Sequence, residues 1–204
     1  SKELLELVHD QHSVLWSMSY YTAKVLLAYF CAFGTDTLEL ITAIAPDFAV
    51  VLTEVSPDMG EGFANECHVL GALLSLIASL GVLCTEGDLA SFVQASQTLL
   101  NLMKIDDCPI YLYPVPVTMV ICIEVLLTNG YFLPLEADDD TKDEASILQE
   151  NVTEVVATTL VKLCKKYLNQ VQAGDTDEFL PEQHELCNIA CLMQSTILLQ
   201  REVR

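Results

Sequence analysis

The chain has 204 residues, nine Lys and Arg against 29 Asp and Glu, and a formal net charge of −20. Its hydrophobic fraction of 52% is too high for a disordered acidic tail, which would be poor in Leu, Ile and Val. The charge disfavours nucleic acid, whose phosphates are neutralised by Lys and Arg, and equally an anionic membrane surface.

Helical periodicity dominates from the first residues. A short segment covers Lys2 to Val8. A longer one runs from about His12 to Phe33, with Leu15, Met18, Tyr21 or Thr22, Val25, Leu26, Tyr29 and Phe30 at steps of three and four. Gly34 ends it, and Asp36-Thr37-Leu38-Glu39 reads as a capping box opening a helix to about Ile44. Pro46 predicts a break, after which a helix resumes from Phe48 to Val55. Ser56-Pro57 reads as a cap followed by Pro at the first helical position.

Phe63 to Cys84 is strongly apolar, and Cys67 to Thr85 contains 19 consecutive uncharged residues, close to a membrane-spanning length. Both flanks are acidic (Glu66, Glu86) and no cation stands near to set an orientation, so a core helix buried on all sides is expected rather than a span. Thr85-Glu86-Gly87-Asp88 is read as the next capping box. Behind it, Leu89, Phe92, Val93, Ser96, Leu99, Leu100 and Met103 form an apolar stripe, with Gln94, Gln97 and Asn101 opposite.

Cys108 to Pro116 holds three prolines and predicts a loop; Val117 to Leu127 follows as a short apolar helix closing at Asn129-Gly130. An acidic loop spans 136–144. A long helix is expected from Asp143 to Gln172, lined by Leu148, Val152, Val155 and Val156 among others, and a last one from Pro181. The expectation is an all-α fold of about eight or nine helices in a single domain over residues 1–204, cut from a longer chain.

Candidate chemistry is sparse. Nucleotide, hydrolase and zinc-protease motifs are missing from the sequence. His9 and His12 lie three apart without a companion ligand. His184, Cys187 and Cys191 share a helical face but are read as core positions, because zinc needs a fourth ligand. Asp138, Asp139 and Asp140 lack EF-hand spacing. Cys67 and His68 are adjacent and diverge by about 100° on a helix, a poor nucleophile–base pair. The eight cysteines mostly sit in apolar helical text, which suits packing in a reducing compartment, cytoplasm or nucleus. The sequon at Asn151 falls inside a predicted helix.

The arrangement of carboxylates carries more. From Val25 to Met103 there is no Lys or Arg, whereas nine Asp and Glu residues occur there. Unpaired carboxylates avoid burial, so all nine are expected at the surface. Glu54, Asp58, Glu61, Glu66, Glu86 and Asp88 gather around successive helix junctions and are the predicted partner-binding residues.

Two turns carry a family likeness. Leu40-Ile41-Thr42-Ala43-Ile44-Ala45-Pro46-Asp47-Phe48-Ala49-Val50-Val51-Leu52 resembles the inter-helix turn of a HEAT unit, and Leu83-Cys84-Thr85-Glu86-Gly87-Asp88-Leu89 is a weaker echo without the basic residue such units place after Asp. The chain thus resembles armadillo/HEAT-type α-solenoids, in which helix pairs bury themselves against their neighbours; a compact helical bundle is the alternative. The resemblance implies a non-enzymatic scaffold or adaptor, without cofactor, metal or small-molecule ligand, whose acidic surface binds a basic or amphipathic protein segment. The competing expectations are a segment packing within its own larger protein, and a helical enzyme using Cys67 or His68.

Overall fold

A computed structural model of the chain describes residues 2–54, 60–103, 114–130 and part of 147–161. All the regular structure among them is helical, so the protein is all-α. Five bounded helices are seen: α1 (Lys2–Phe33), α2 (Leu38–Thr53), α3 (Glu61–Glu86), α4 (Leu89–Met103) and α5 (Pro114–Thr128). The described residues of 147–161 are also helical.

Helix α3 is the hub and packs against α1, α2, α4 and α5. Its uncharged run explains this position: residues 69–74 and 76–81 are all buried, and at 100° per residue those runs cover every direction around the helix. The expectation of a core helix therefore has its counterpart in packing. Gly62–Glu86 is apolar enough to cross a membrane, yet 78% of its apolar window is buried by the surrounding helices.

Two glycines set the α2–α3 contact. A Cβ on Gly71 would sit 3.3 Å from the Ala49 carbonyl oxygen, and one on Gly81 would collide with the Thr42 hydroxyl. Residue 71 thus lies beside 49–52 and residue 81 beside 42, which makes the pair antiparallel and brings the backbones close.

Several boundaries differ from the sequence reading. Between Val8 and Ser13 there is neither Pro nor Gly, and α1 runs through His9 and His12 unbroken. Pro46 does not end a helix: it lies inside α2 on the exposed side, where the carbonyl deprived of its N–H partner can meet water. Asp36 and Thr37 belong to a 3-10 turn, Gly34–Thr37, and the Thr37 hydroxyl donates to the Gly34 carbonyl at 2.8 Å instead of capping α2. Thr85 is still inside α3, its hydroxyl donating back to the Gly81 carbonyl at 3.0 Å. Gly87 supplies the left-handed C-terminal turn (φ 75°), its N–H donating to the Leu83 carbonyl at 3.0 Å. Pro114 and Pro116 open α5, where the first N–H groups need no helical partner.

The buried face of α1 also differs. Met18, Tyr21, Val25 and Tyr29 are exposed, while Trp16, Tyr20, Ala23, Leu27 and Phe30 face the core. Both faces of this helix are apolar, so periodicity alone could not choose between them. Leu148, Val152 and Val155 are buried as expected. The Ser56-Pro57 cap, the 136–144 loop, the segment after 161 and the final helix from Pro181 lie outside the described residues.

Candidate functional site

The antiparallel pairing of α2 and α3 sorts the helix junctions between two ends of the molecule. Thr42 beside Gly81 places the α1–α2 turn level with the end of α3. Helix α5 joins the same end: the Cys31 thiol lies 3.8 Å from the Thr118 hydroxyl, and the Asn129 amide approaches the Cys84 sulfur at 3.9 Å. One pole therefore gathers the C-termini of α1, α3 and α5 with the N-termini of α2 and α4.

Among the described residues, five acids stand at this pole. Asp36, Glu39, Glu86 and Glu124 are exposed, and Asp88 is half-buried. No Lys or Arg occupies the last turn of α1, α3 or α5. Asp88 has a local role, since it accepts the Ser91 N–H at 3.3 Å and the Ser91 hydroxyl, capping α4. Those bonds hold its carboxyl below the usual range. Glu39 sits in the first turn of α2, where the helix dipole favours an anion.

Glu86 and Glu124 are placed the other way. Glu86 is the last residue of α3 and Glu124 lies one turn from the end of α5. Both stand where the helix dipole already carries partial negative charge, so their position opposes stability. Between α5 and the α1–α2 turn lies a depression of about 430 Å³, lined by Cys31, Phe33, Thr35, Glu124, Thr128 and Asn129 among others. It offers a carboxylate, a hydroxyl and an amide above an apolar floor. Burial pushes the Cys31 thiol up to about 11, against a smaller opposing effect of the Thr118 contact, so it faces this depression uncharged.

The six predicted binding residues do not form one patch. Glu86 and Asp88 are at the acidic pole. Glu54, at the end of α2, and Glu61, at the start of α3, belong to the opposite end; 25 residues of helix separate Glu61 from Glu86, about 37 Å. Asp58 lies outside the described residues. Asp36, Glu39 and Glu124 join the pole instead. The signal for that regrouping is available in sequence: antiparallel neighbours send alternate junctions to opposite ends.

Glu66 corrects the expectation that all nine carboxylates stand unpaired at the surface. It is half-buried, 3.0 Å from the Lys24 ammonium, and accepts the Tyr20 hydroxyl at 2.6 Å. Lys24 also donates to the Tyr20 oxygen at 2.8 Å. This triad pins α1 to α3, and Trp16 and Phe63 pack against the Tyr20 ring. Burial and the bond to Glu66 push the Tyr20 hydroxyl above its ordinary value. Burial alone would lower Lys24, but its bonds to Tyr20 and Glu66 outweigh that and raise it.

Cys67 is fully buried; desolvation, aided by the Glu66 charge, pushes its thiol up to about 12, so it is not a thiolate at neutral pH. His68 is half-buried on the neighbouring face. Among the described residues no three His, Cys, Asp or Glu side chains converge as a metal group. The side chains of His9 and His12, and all of His184, Cys187, Cys191 and Asp138–Asp140, lie outside the described residues. Compared with models of known families, with curated proteins and with solved structures, the chain shows no significant match.

Proposed function

We propose that the protein is a non-enzymatic interaction module, a scaffold or adaptor segment, whose acidic pole binds a basic segment of another protein. The observation that carries this reading is the position of Glu86 and Glu124. Each costs its own helix some stability, and an external cation would reverse that cost. Three helix C-termini without Lys or Arg in their last turns strengthen the negative field at the same end, which favours and accelerates encounter with Lys- and Arg-rich partners. The depression beside Glu124 suits one long basic side chain, its stem on Phe33 and its head at the carboxylate.

The helical-repeat reading belongs to the same proposal. Successive antiparallel helices joined by short turns support it. The direct contact of α1 with α5 departs from strict repeat stacking, in which a unit touches only its neighbours, and favours a compact cluster around α3. Placement in cytoplasm or nucleus is part of this reading and rests on the unpaired thiols Cys31, Cys67, Cys84 and Cys122.

Zero-length carbodiimide cross-linking to a Lys/Arg-rich peptide tests the site. Cross-links at Asp36, Glu39, Glu86 and Glu124 are expected. Cross-links confined to Glu54, at the far end of α2, and to Asp47, midway along it, would refute it.

A further inference from the structure

Helix α1 carries a second surface, which meets the acidic pole only at Phe33. Its outward face exposes Met18 (62%), Tyr21 (67%), Val25 (66%), Tyr29 (45%) and Phe33 (55%). These positions fall on one stripe about 22 Å long, at the helix's three- and four-residue spacing. The wider stretch Trp16–Thr53 is apolar enough to cross a membrane, but only 28% of its apolar window is buried, in contrast to α3.

The geometry points to this stripe as a two-fold contact between two copies of the chain, with their α1 helices crossing antiparallel at Val25. Three observations favour a second copy over another occupant. The stripe is close to palindromic about its smallest member: Tyr21 and Tyr29 lie four residues either side of Val25, and Met18 and Phe33 lie seven and eight away. Antiparallel crossing therefore sets Tyr21 against the partner's Tyr29 and Met18 against the partner's Phe33, the self-complementarity an isologous interface requires.

Charge is the second observation. Between Asp10 and Asp36 the sole Asp, Glu, Lys or Arg is Lys24, and it is bound to Glu66. Two molecules of net charge −20 can meet here without opposing carboxylates. The third is size. Three aromatic side chains about half exposed, with Met18 and Val25, offer on the order of 500 Å² per copy, near the lower bound for a specific interface.

Sedimentation of the 204-residue chain at micromolar concentrations, in low and high salt, tests this. A reversible dimer is expected, tightened several-fold by salt as repulsion between the two anionic copies is screened. Binding of a basic partner at the acidic pole responds to salt in the opposite direction, so the two readings fail separately. Val25→Asp should weaken the dimer at least tenfold while melting like the parent at concentrations low enough that both are monomeric, and Glu86→Lys should leave the dimer intact. Tyr29→Glu should weaken it too, and adding Tyr21→Lys to that variant should restore it. A monomer at all concentrations and salts overturns the proposal, as does a dimer indifferent to Val25→Asp. A monomer that floats with neutral phosphatidylcholine vesicles through this stripe would make a bilayer the occupant and overturn it as well.

Discussion

Replacing Gly81 by Ala should destabilise the fold even though Ala is the better helix former. The added methyl would overlap the Thr42 hydroxyl and lie 2.9 Å from the Thr42 Cβ, well inside ordinary carbon contact. Thr42 cannot simply turn away, because its hydroxyl donates to the Leu38 carbonyl at 2.7 Å and its rotamers are restricted by the helix. Relief requires α2 and α3 to separate along a line that also includes Ala45, Ala49 and Leu52, all buried. Overpacking costs about 1–3 kcal/mol, and an overlap with both the hydroxyl and the Cβ of a fixed side chain belongs at about 2–3 kcal/mol, of which the gain in helix propensity returns about 1 kcal/mol. The net loss should be about 1–2 kcal/mol, a fall in Tm of roughly 2–8 °C for a chain of this size.

Thermal and urea unfolding followed at 222 nm measure the loss. Thr42→Ala removes the hydroxyl and one methyl but leaves the Cβ, so combining it with Gly81→Ala should recover about half of the loss. That non-additivity identifies the contact, since unrelated sites would add. A Gly81→Ala protein as stable as the parent would mean that the two backbones are not this close, and the register that builds the acidic pole would fall with it.

Removing the carboxylate of the α1–α3 pin, as in Glu66→Ala, should cost about 1–2 kcal/mol, because a partly buried charged hydrogen-bond acceptor disappears from both Tyr20 and Lys24; chemical denaturation measures it. Tyr20 and Lys24 are both raised in the folded state. Their contribution is therefore complete below their ordinary values near pH 10 and is lost as pH rises through the folded values. A stability profile measured up to pH 11 should fall at its alkaline end, and the fall should be shallower in Glu66→Ala. Among the thiols, Cys84 is exposed and should alkylate in the native protein, whereas Cys67 and Cys122 are buried, with thiols pushed up by desolvation, and should resist until unfolding. Mass spectrometry after brief iodoacetamide treatment distinguishes them, and early labelling of Cys67 would contradict the packing.

Legibility in the sequence followed how one-sided each helix is. The amphipathic α4 was readable in detail: Phe92, Ser96, Leu99 and Leu100 are buried, and Gln94, Gln97 and Asn101 are exposed. Helix α1 is apolar on both faces, and of its periodic stripe Leu26 and Phe30 are buried while Met18, Tyr21, Val25 and Tyr29 are exposed. Pro46 reads as a breaker yet lies inside α2, because its cost depends on whether the orphaned carbonyl reaches water, which sequence does not state. Glu66 was counted as unpaired because its cation, Lys24, stands one residue outside the cation-free stretch and 42 residues from its partner. Glu54 and Glu86 both flank successive helix junctions in the sequence, whereas α3 holds those junctions at opposite ends. The acids themselves are visible in the sequence, and the alternation of antiparallel helices sorts them into poles; Gly71 and Gly81 fix the register of α2 on α3.

Association kinetics of a Lys/Arg-rich segment, measured by stopped flow across ionic strength, bear most directly on the role of the acidic pole. Steering by Glu86 and Glu124 predicts a rate constant that falls steeply with salt and drops about tenfold or more in the Glu86→Lys/Glu124→Lys variant, while Glu54→Lys has little effect. The same double variant should melt higher than the parent, because lysines suit the ends of α3 and α5. A rate insensitive to both salt and the double reversal would contradict docking at this pole.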